Sequence, residues 1–121
     1  MAKILIAEDD PAVREFVARA LAHVGHNVTA VDDGTQALER MVADHFDLLI
    51  TDVKMPGIDG ITLSHRIARS RPSVSILVMT GYAEEQQRAA VLNGTVRQVI
   101  TKPFTLKQIC AAANEALAAQ V

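Results

Sequence analysis

Strand-type runs and helical patterns alternate along the chain, and this alternation restricts the fold more than any single residue does. The runs KILIA (3–7), NVTAV (27–31), DLLIT (47–51), SILVM (75–79) and RQVI (97–100) are short and rich in aliphatic and β-branched residues. Between them, apolar residues recur at helical spacing. Val13, Phe16, Val17, Ala20, Leu21 and Val24 follow an i, i+3, i+4, i+7 pattern and predict the inner face of a first helix. Asp10 is its expected N-cap, Pro11 its first residue and Gly25 its stop. Further helices are predicted over about Gly34–Val42 and about Gly60–Arg69. A weaker one, with few large apolar residues, is predicted over Ala83–Leu92. The last opens on Thr105 and Gln108, spaced as a capping box, with Leu106, Ile109, Ala113 and Leu117 facing inward.

Strand followed by helix, five times over, implies a parallel sheet covered on both faces. The apolar central runs read as strands buried on both sides. With 121 residues, half of them hydrophobic, the chain is one domain's worth and can bury a real core. The expected fold is α/β and flavodoxin-like. It is a doubly wound, five-stranded parallel sheet in the order 2-1-3-4-5 with five helices, a single domain over residues 1–121.

A net charge of −2 leaves no electrostatic footprint for nucleic acid or an anionic membrane. The densest cationic group, Arg66, Arg69 and Arg71, reads as a solvated helix face. Cys110 is the single cysteine, so an intramolecular disulfide is impossible; it is expected to pack. The apolar runs fall well short of the ~20 residues of a membrane span. The N-terminus, MAKILIAEDD, turns acidic too soon for a signal peptide, and a cytoplasmic setting is expected.

In such sheets the functional crevice lies at the carboxyl ends of the strands. Glu8, Asp9 and Asp10 end the first strand, Asp52 the third, Thr80 the fourth and Lys102 the fifth. Clustered carboxylates repel one another and need a cation to stay ionised together. Oxygen-only ligands suit Mg²⁺, which keeps several waters and accepts a phosphate as a further ligand. A carboxylate can serve as nucleophile and form an aspartyl phosphate. An ammonium then stabilises the transferred phosphoryl, and a hydroxyl donates to one of its oxygens. Asp52 is the best nucleophile because it ends the central strand. The following MPGIDG carries Pro56 and Gly57 as type II turn residues and leaves the Lys54 backbone carbonyl toward a metal. Bland readings stand beside these. Asp10 as a cap explains one acid of three, Thr80 could be an ordinary strand-end hydroxyl, and Lys102 a solvated lysine. Pro103 is a candidate for a cis bond. His23, His26, His45 and His65 show no metal-ligand spacing.

The segments IAEDDPAVR, LLITDVKMPGIDG, VMTGYA and VITKPF resemble the receiver domain of two-component response regulators, in family order and over essentially the whole chain. The resemblance implies a signalling domain rather than an enzyme, limited to self-phosphorylation from small donors and autodephosphorylation. It implies Asp52 as phosphoacceptor, Glu8 and Asp9 as the acidic pair with Asp9 the direct Mg²⁺ ligand, Thr80 as the hydroxyl switch and Lys102 as the family lysine. The implied donor is a histidine kinase or histidine phosphotransferase. Receivers usually carry Tyr or Phe three residues before the lysine; here that position is Val99, and Tyr82 is the nearest aromatic alternative for a signalling contact. MAKILIAEDD, ARALAHVGHNV and VITKPFTLKQI are further similar to stand-alone regulators of the CpdR type. That similarity implies no output domain and a protein partner, the ClpX unfoldase, rather than nucleic acid or membrane.

Three rival readings remain at this stage. A haloacid-dehalogenase-type aspartyl phosphatase would need a second Asp where Lys54 stands. A flavin binder would need a phosphate loop where the chain has EDDP. The third is a receiver cut from a longer DNA-binding regulator or hybrid kinase.

Overall fold

The computed structural model describes residues 2–81, 96 and 98–118. Its elements are β1 (Lys3–Ala7), α1 (Pro11–His23), β2 (Asn27–Val31), α2 (Gly34–Ala43), β3 (Leu48–Asp52), α3 (Gly60–Ser70), β4 (Ser75–Thr80), β5 (Gln98–Thr101) and α4 (Leu106–Ala118). The helix expected over Ala83–Leu92 lies outside the described residues, as does Tyr82. The strands form one parallel sheet in the order β2-β1-β3-β4-β5, the flavodoxin-like arrangement the alternation implies.

Side chains alternate across the sheet, and this splits the core into two layers. Ile4 and Ile6 of β1 pack with Val17 and Leu21 of α1 and Ile109 and Ala113 of α4. Leu5 and Ala7, one residue out of phase, pack with Met41 of α2 and Leu63 and Ile67 of α3. Every residue of β3 and β4 is buried, as strands covered on both faces must be. Each large aliphatic so enclosed contributes roughly 1.5–3 kcal/mol from apolar burial.

The helix ends follow local chemistry. Asp10 Oδ1 accepts from the Ala12 N–H at 2.9 Å. At α4 the capping box closes both ways, Gln108 N–H to Thr105 Oγ1 at 3.1 Å and Thr105 N–H to Gln108 Oε1 at 2.8 Å. Asp33 and Asp59 cap α2 and α3, each accepting at 2.8 Å from an amide three residues on.

The structure corrects several expectations. The third strand starts one residue later than DLLIT and runs through Asp52. Asp47 still ties the strand start to its neighbours, its N–H donating to the Lys3 carbonyl at 2.7 Å, its carbonyl accepting from the Ser75 N–H at 3.0 Å and its Oδ2 accepting from the Lys3 N–H at 2.8 Å. Leu106 is 49% exposed, Val24 51% and Phe16 40%, so none of them is an inner residue. Leu106 is the first residue of its helix and Val24 the cap after the last turn of α1. Phe16 leans outward to meet Phe104, ring centroids 6.3 Å apart. Ala112 and Ala116 take inner positions in α4 instead. Cys110 is only partly buried, its Sγ 3.8 Å from the Ala20 carbonyl.

Candidate functional site

Asp52 is held by its own strand and by the turn that follows. It is 8% exposed at the end of the fully buried β3, and its Oδ1 accepts from the Val53 N–H at 2.8 Å. The chain then reverses through Pro56 and Gly57, whose φ of +76° suits the third position of a type II turn. It returns so closely that the Gly60 N–H donates to the Val53 carbonyl at 2.7 Å. A Cβ on Gly60 would lie 1.9 Å from the Asp52 carbonyl oxygen, a contact only glycine avoids. The helix start is thereby pressed against the backbone of Asp52, and the carboxylate is fixed at the sheet's rim.

Glu8 leaves β1 still more enclosed, with its residue fully buried. Its Oε1 accepts from Lys102 Nζ at 2.7 Å and its Oε2 from the Asp10 N–H at 3.1 Å. Its backbone is tied on both sides, the N–H donating to the Val31 carbonyl at 3.1 Å and the carbonyl accepting from an Arg14 guanidinium N–H at 2.9 Å. Asp9, next along, is exposed. The same Lys102 ammonium lies 3.2 Å from Asp52 Oδ2, and the Lys102–Pro103 peptide bond is cis. Thr80 ends β4 fully buried, and its carbonyl accepts from the Lys102 N–H at 2.8 Å.

The electrostatics follow from this packing. Burial pushes the Glu8 carboxyl up to about 7, against the pull of the Lys102 and Asp10 hydrogen bonds and with the Asp52 charge adding to the rise. Lys102 is pulled down by its own burial, but the Glu8 hydrogen bond and the charges of Asp52 and Glu8 outweigh that and raise it above its ordinary value. Lys102 is paired with Glu8 and Asp52, so one ammonium serves two of the three acids. One oxygen from each of Glu8, Asp9 and Asp52 lies within 4.8 Å of the others, a donor set of hard oxygens that fits a small divalent cation. They open on a cavity of about 740 Å³ that Asp10, Lys54, Gly81 and Phe104 also line.

Glu8, Asp9, Asp52, Lys54 and Lys102 thus meet at one cavity, as expected for strand ends. Thr80 sits behind its rim, next to Gly81, which lines it. Val99 is 38% exposed on β5, paired with Val78 and away from the acids. Sequence reasoning missed Arg14, whose only signal is its place in the early turns of α1. It also missed that Lys102 contacts Glu8 more closely than Asp52.

The family described as the response regulator receiver domain matches residues 4–114. The chain belongs to that family. Among curated proteins, this receiver is 39% identical over 114 residues to the response regulator receiver protein CpdR of Brucella abortus, covering 90% of this chain and 91% of CpdR. It is 36% identical over 109 residues to the transcriptional regulatory protein TcrA of Mycobacterium tuberculosis, of which it spans 43%. It is 39% identical to the sensor protein EvgS of Escherichia coli O157:H7, of which it spans 9%. Of solved structures, a response regulator from Chloroflexus aurantiacus superposes with a TM-score of 0.88 at 28% identity, covering 97% of this chain and 98% of that one. TrrA of Thermotoga maritima, solved in complex with Mg²⁺-BeF, shares the fold with a TM-score of 0.85 at 24% identity, covering 96% of this chain and 99% of that one. As in receivers generally, the reading is of a signalling domain of two-component systems. Among the described residues, no helix is long and apolar enough to cross a membrane.

Proposed function

We propose that this receiver accepts a phosphoryl group on Asp52 from a phosphohistidine of a histidine kinase or phosphotransferase, with Mg²⁺ held by Glu8, Asp9 and Asp52. The observation that carries the reading is the gathering of three carboxylate oxygens within 4.8 Å, with the Lys102 ammonium 3.2 Å from Asp52. Bound Mg²⁺ would neutralise charge on the phosphoryl oxygens during transfer. The chain's own residues do the rest. An Asp52 oxygen forms a bond to phosphorus as the phosphorus–nitrogen bond to the donor imidazole breaks, and that nitrogen takes up a proton. The Val53 N–H holds the carboxylate, and the close approach of Gly60 fixes the backbone that carries it. Lys102 balances the negative charge that develops beside it.

The product adds roughly −1.5 to −2 charge at the rim. Lys102 is then drawn from Glu8 toward the phosphoryl, and its amide carries that movement to Thr80. The surface around β5, including Val99, becomes the switched face through a shift between two populations. A narrower form of this reading is that the face controls docking on the ClpX unfoldase, supported by 39% identity over 91% of CpdR. Low coverage of TcrA and EvgS supports the alternative of a receiver working inside a longer regulator or hybrid kinase.

Intact mass after incubation with acetyl phosphate and Mg²⁺ tests the core of the proposal. One phosphoryl increment in wild type and none in Asp52→Ala is the expected result. A folded wild type that gains no mass would refute it.

A further inference from the structure

Ladder pairing of β1 ends at Ala7 on both sides, with Val31 of β2 and Thr51 of β3. Glu8 therefore begins the loop, yet it is the most enclosed acid of the site. A residue one step past the end of a ladder is ordinarily free to move, because its carbonyl has lost its strand partner. Here that carbonyl has another partner, the Arg14 guanidinium at 2.9 Å, reaching back from α1. The Glu8 amide is held from the other side by Val31.

The placing of the contact matters. Both Glu8 carboxylate oxygens are already engaged, one by Lys102 and one by the Asp10 amide. With Lys102 already on one oxygen, a second cation bound to the carboxylate itself would compete further with a metal. Arg14 instead brings a permanent charge to the acidic run through a backbone carbonyl and leaves the carboxylates alone. It also joins the first helix to the corner that carries Glu8 and Asp9.

We propose that Arg14 is a positioning residue for cation binding. It fixes the Glu8 peptide so that Glu8 and Asp9 stay in register with Asp52, and it offsets part of their mutual repulsion. This inference rests on the reading of the three acids as a Mg²⁺ site. Outer partners that orient ligands typically cost 10–100-fold in metal affinity when removed, and a contact made through the backbone belongs at the lower end, about tenfold.

The test is Mg²⁺ titration by calorimetry on the unphosphorylated full chain, comparing wild type, Arg14→Gln and Arg19→Gln. Arg19 lies on the same helix in an exposed pair with Glu15 and controls for net charge. Arg14→Gln should raise the Mg²⁺ dissociation constant about tenfold, with Arg19→Gln close to wild type. In the metal-free protein, Arg14→Gln should also speed hydrogen exchange of the Asp10 amide, which donates to Glu8. With acetyl phosphate as donor, the loss should appear in the Mg²⁺ concentration for half-maximal rate rather than in the rate at saturating Mg²⁺. Equal affinity in wild type and Arg14→Gln overturns the inference and leaves the site reading standing. An equal loss in Arg19→Gln overturns it too, because net charge alone would then account for the effect. A wild type that binds no Mg²⁺ overturns the site reading, and this inference with it.

Discussion

Lys102 stands 2.7 Å from Glu8 and 3.2 Å from Asp52, so before any phosphoryl arrives its nearer partner is the buried acid. The lysine is thus a structural counterion as well as a candidate for signalling. Above about pH 7, removing it leaves the enclosed Glu8 charge without its partner. Breaking a buried pair this way typically costs 3–5 kcal/mol, and the 24% exposure of the Lys102 side chain reduces the expected loss to about 1–3 kcal/mol. Urea denaturation of metal-free Lys102→Met should show that loss. Adding Glu8→Gln in the same chain should recover more than half of it, and no recovery would show that the two side chains do not depend on each other. Some phosphorylation of Asp52 should survive in Lys102→Ala, with partner affinity no longer responding to it.

Glu8 also predicts a pH dependence. Burial, partly opposed by Lys102, raises its carboxyl from 4.5 to about 7. Between those values the native protein keeps a proton that the unfolded chain has released. The native state then binds more protons, so this group's contribution to stability falls as pH rises through the window and stays low above it. The metal-free melting temperature should therefore decline between about pH 5 and about pH 8, and Glu8→Gln should flatten the decline. Mg²⁺ and the proton compete for the same carboxylate, so the melting-temperature gain on adding Mg²⁺ should be larger at the higher pH. A gain independent of pH would count against Glu8 as a ligand.

Ser75 offers a test of the core away from the site. It is 2% exposed at the start of β4, and its hydroxyl is a buried polar group with no hydrogen-bond partner among the described residues. An unmet buried hydroxyl costs free energy that alanine does not. Ser75→Ala should stabilise the protein by about 0.5–1 kcal/mol in urea denaturation, with phosphorylation unchanged. A loss of stability would mean that the hydroxyl is satisfied by an internal water.

Most of the architecture was legible because it rests on periodicity. The apolar runs read at 3–7, 47–51 and 75–79 fall on strands at Lys3–Ala7, Leu48–Asp52 and Ser75–Thr80 because two layers of helices cover them, and the spacing in α1 and α4 names much of the inner faces. The strand ends also led from sequence to one cavity, since Glu8, Asp9, Asp52, Lys54 and Lys102 all line it. What escaped was set by contacts between distant segments. Helical spacing gives a direction around the axis but not which neighbour a side chain meets, hence the exposure of Phe16, which meets Phe104, and of Leu106 at the start of its helix. The Arg14 hydrogen bond depends on where a flexible side chain reaches, and the Glu8–Lys102 pair joins residues 94 positions apart. No local pattern carries either.

Gly60 puts the link between turn geometry and chemistry to a direct test. Its missing side chain lets α3 begin against the Asp52 backbone, where a Cβ would sit 1.9 Å from the carbonyl oxygen and 2.8 Å from its carbon. Both atoms are main chain at the end of a buried strand, so neither side can yield by a rotamer change. Gly60→Ala must displace the start of α3 or the end of β3. Overpacking of this kind typically costs 1–3 kcal/mol, and backbone obstruction places the expected loss near the top of that range, about 3 kcal/mol. The displacement also moves the carboxylate. A misplacement of about 1 Å can cost a hundredfold in rate, so phosphorylation from acetyl phosphate should fall by about that factor even below the melting transition. Gly57→Ala is the companion variant. Its Cβ would meet only the Thr35 hydroxyl at 3.9 Å, and its strain comes from φ of +76° in the turn, remote from the carboxylate. It should lose stability with a much smaller loss of rate. If the two variants lost rate in proportion to stability, the position of Asp52 would owe nothing special to the close approach at Gly60.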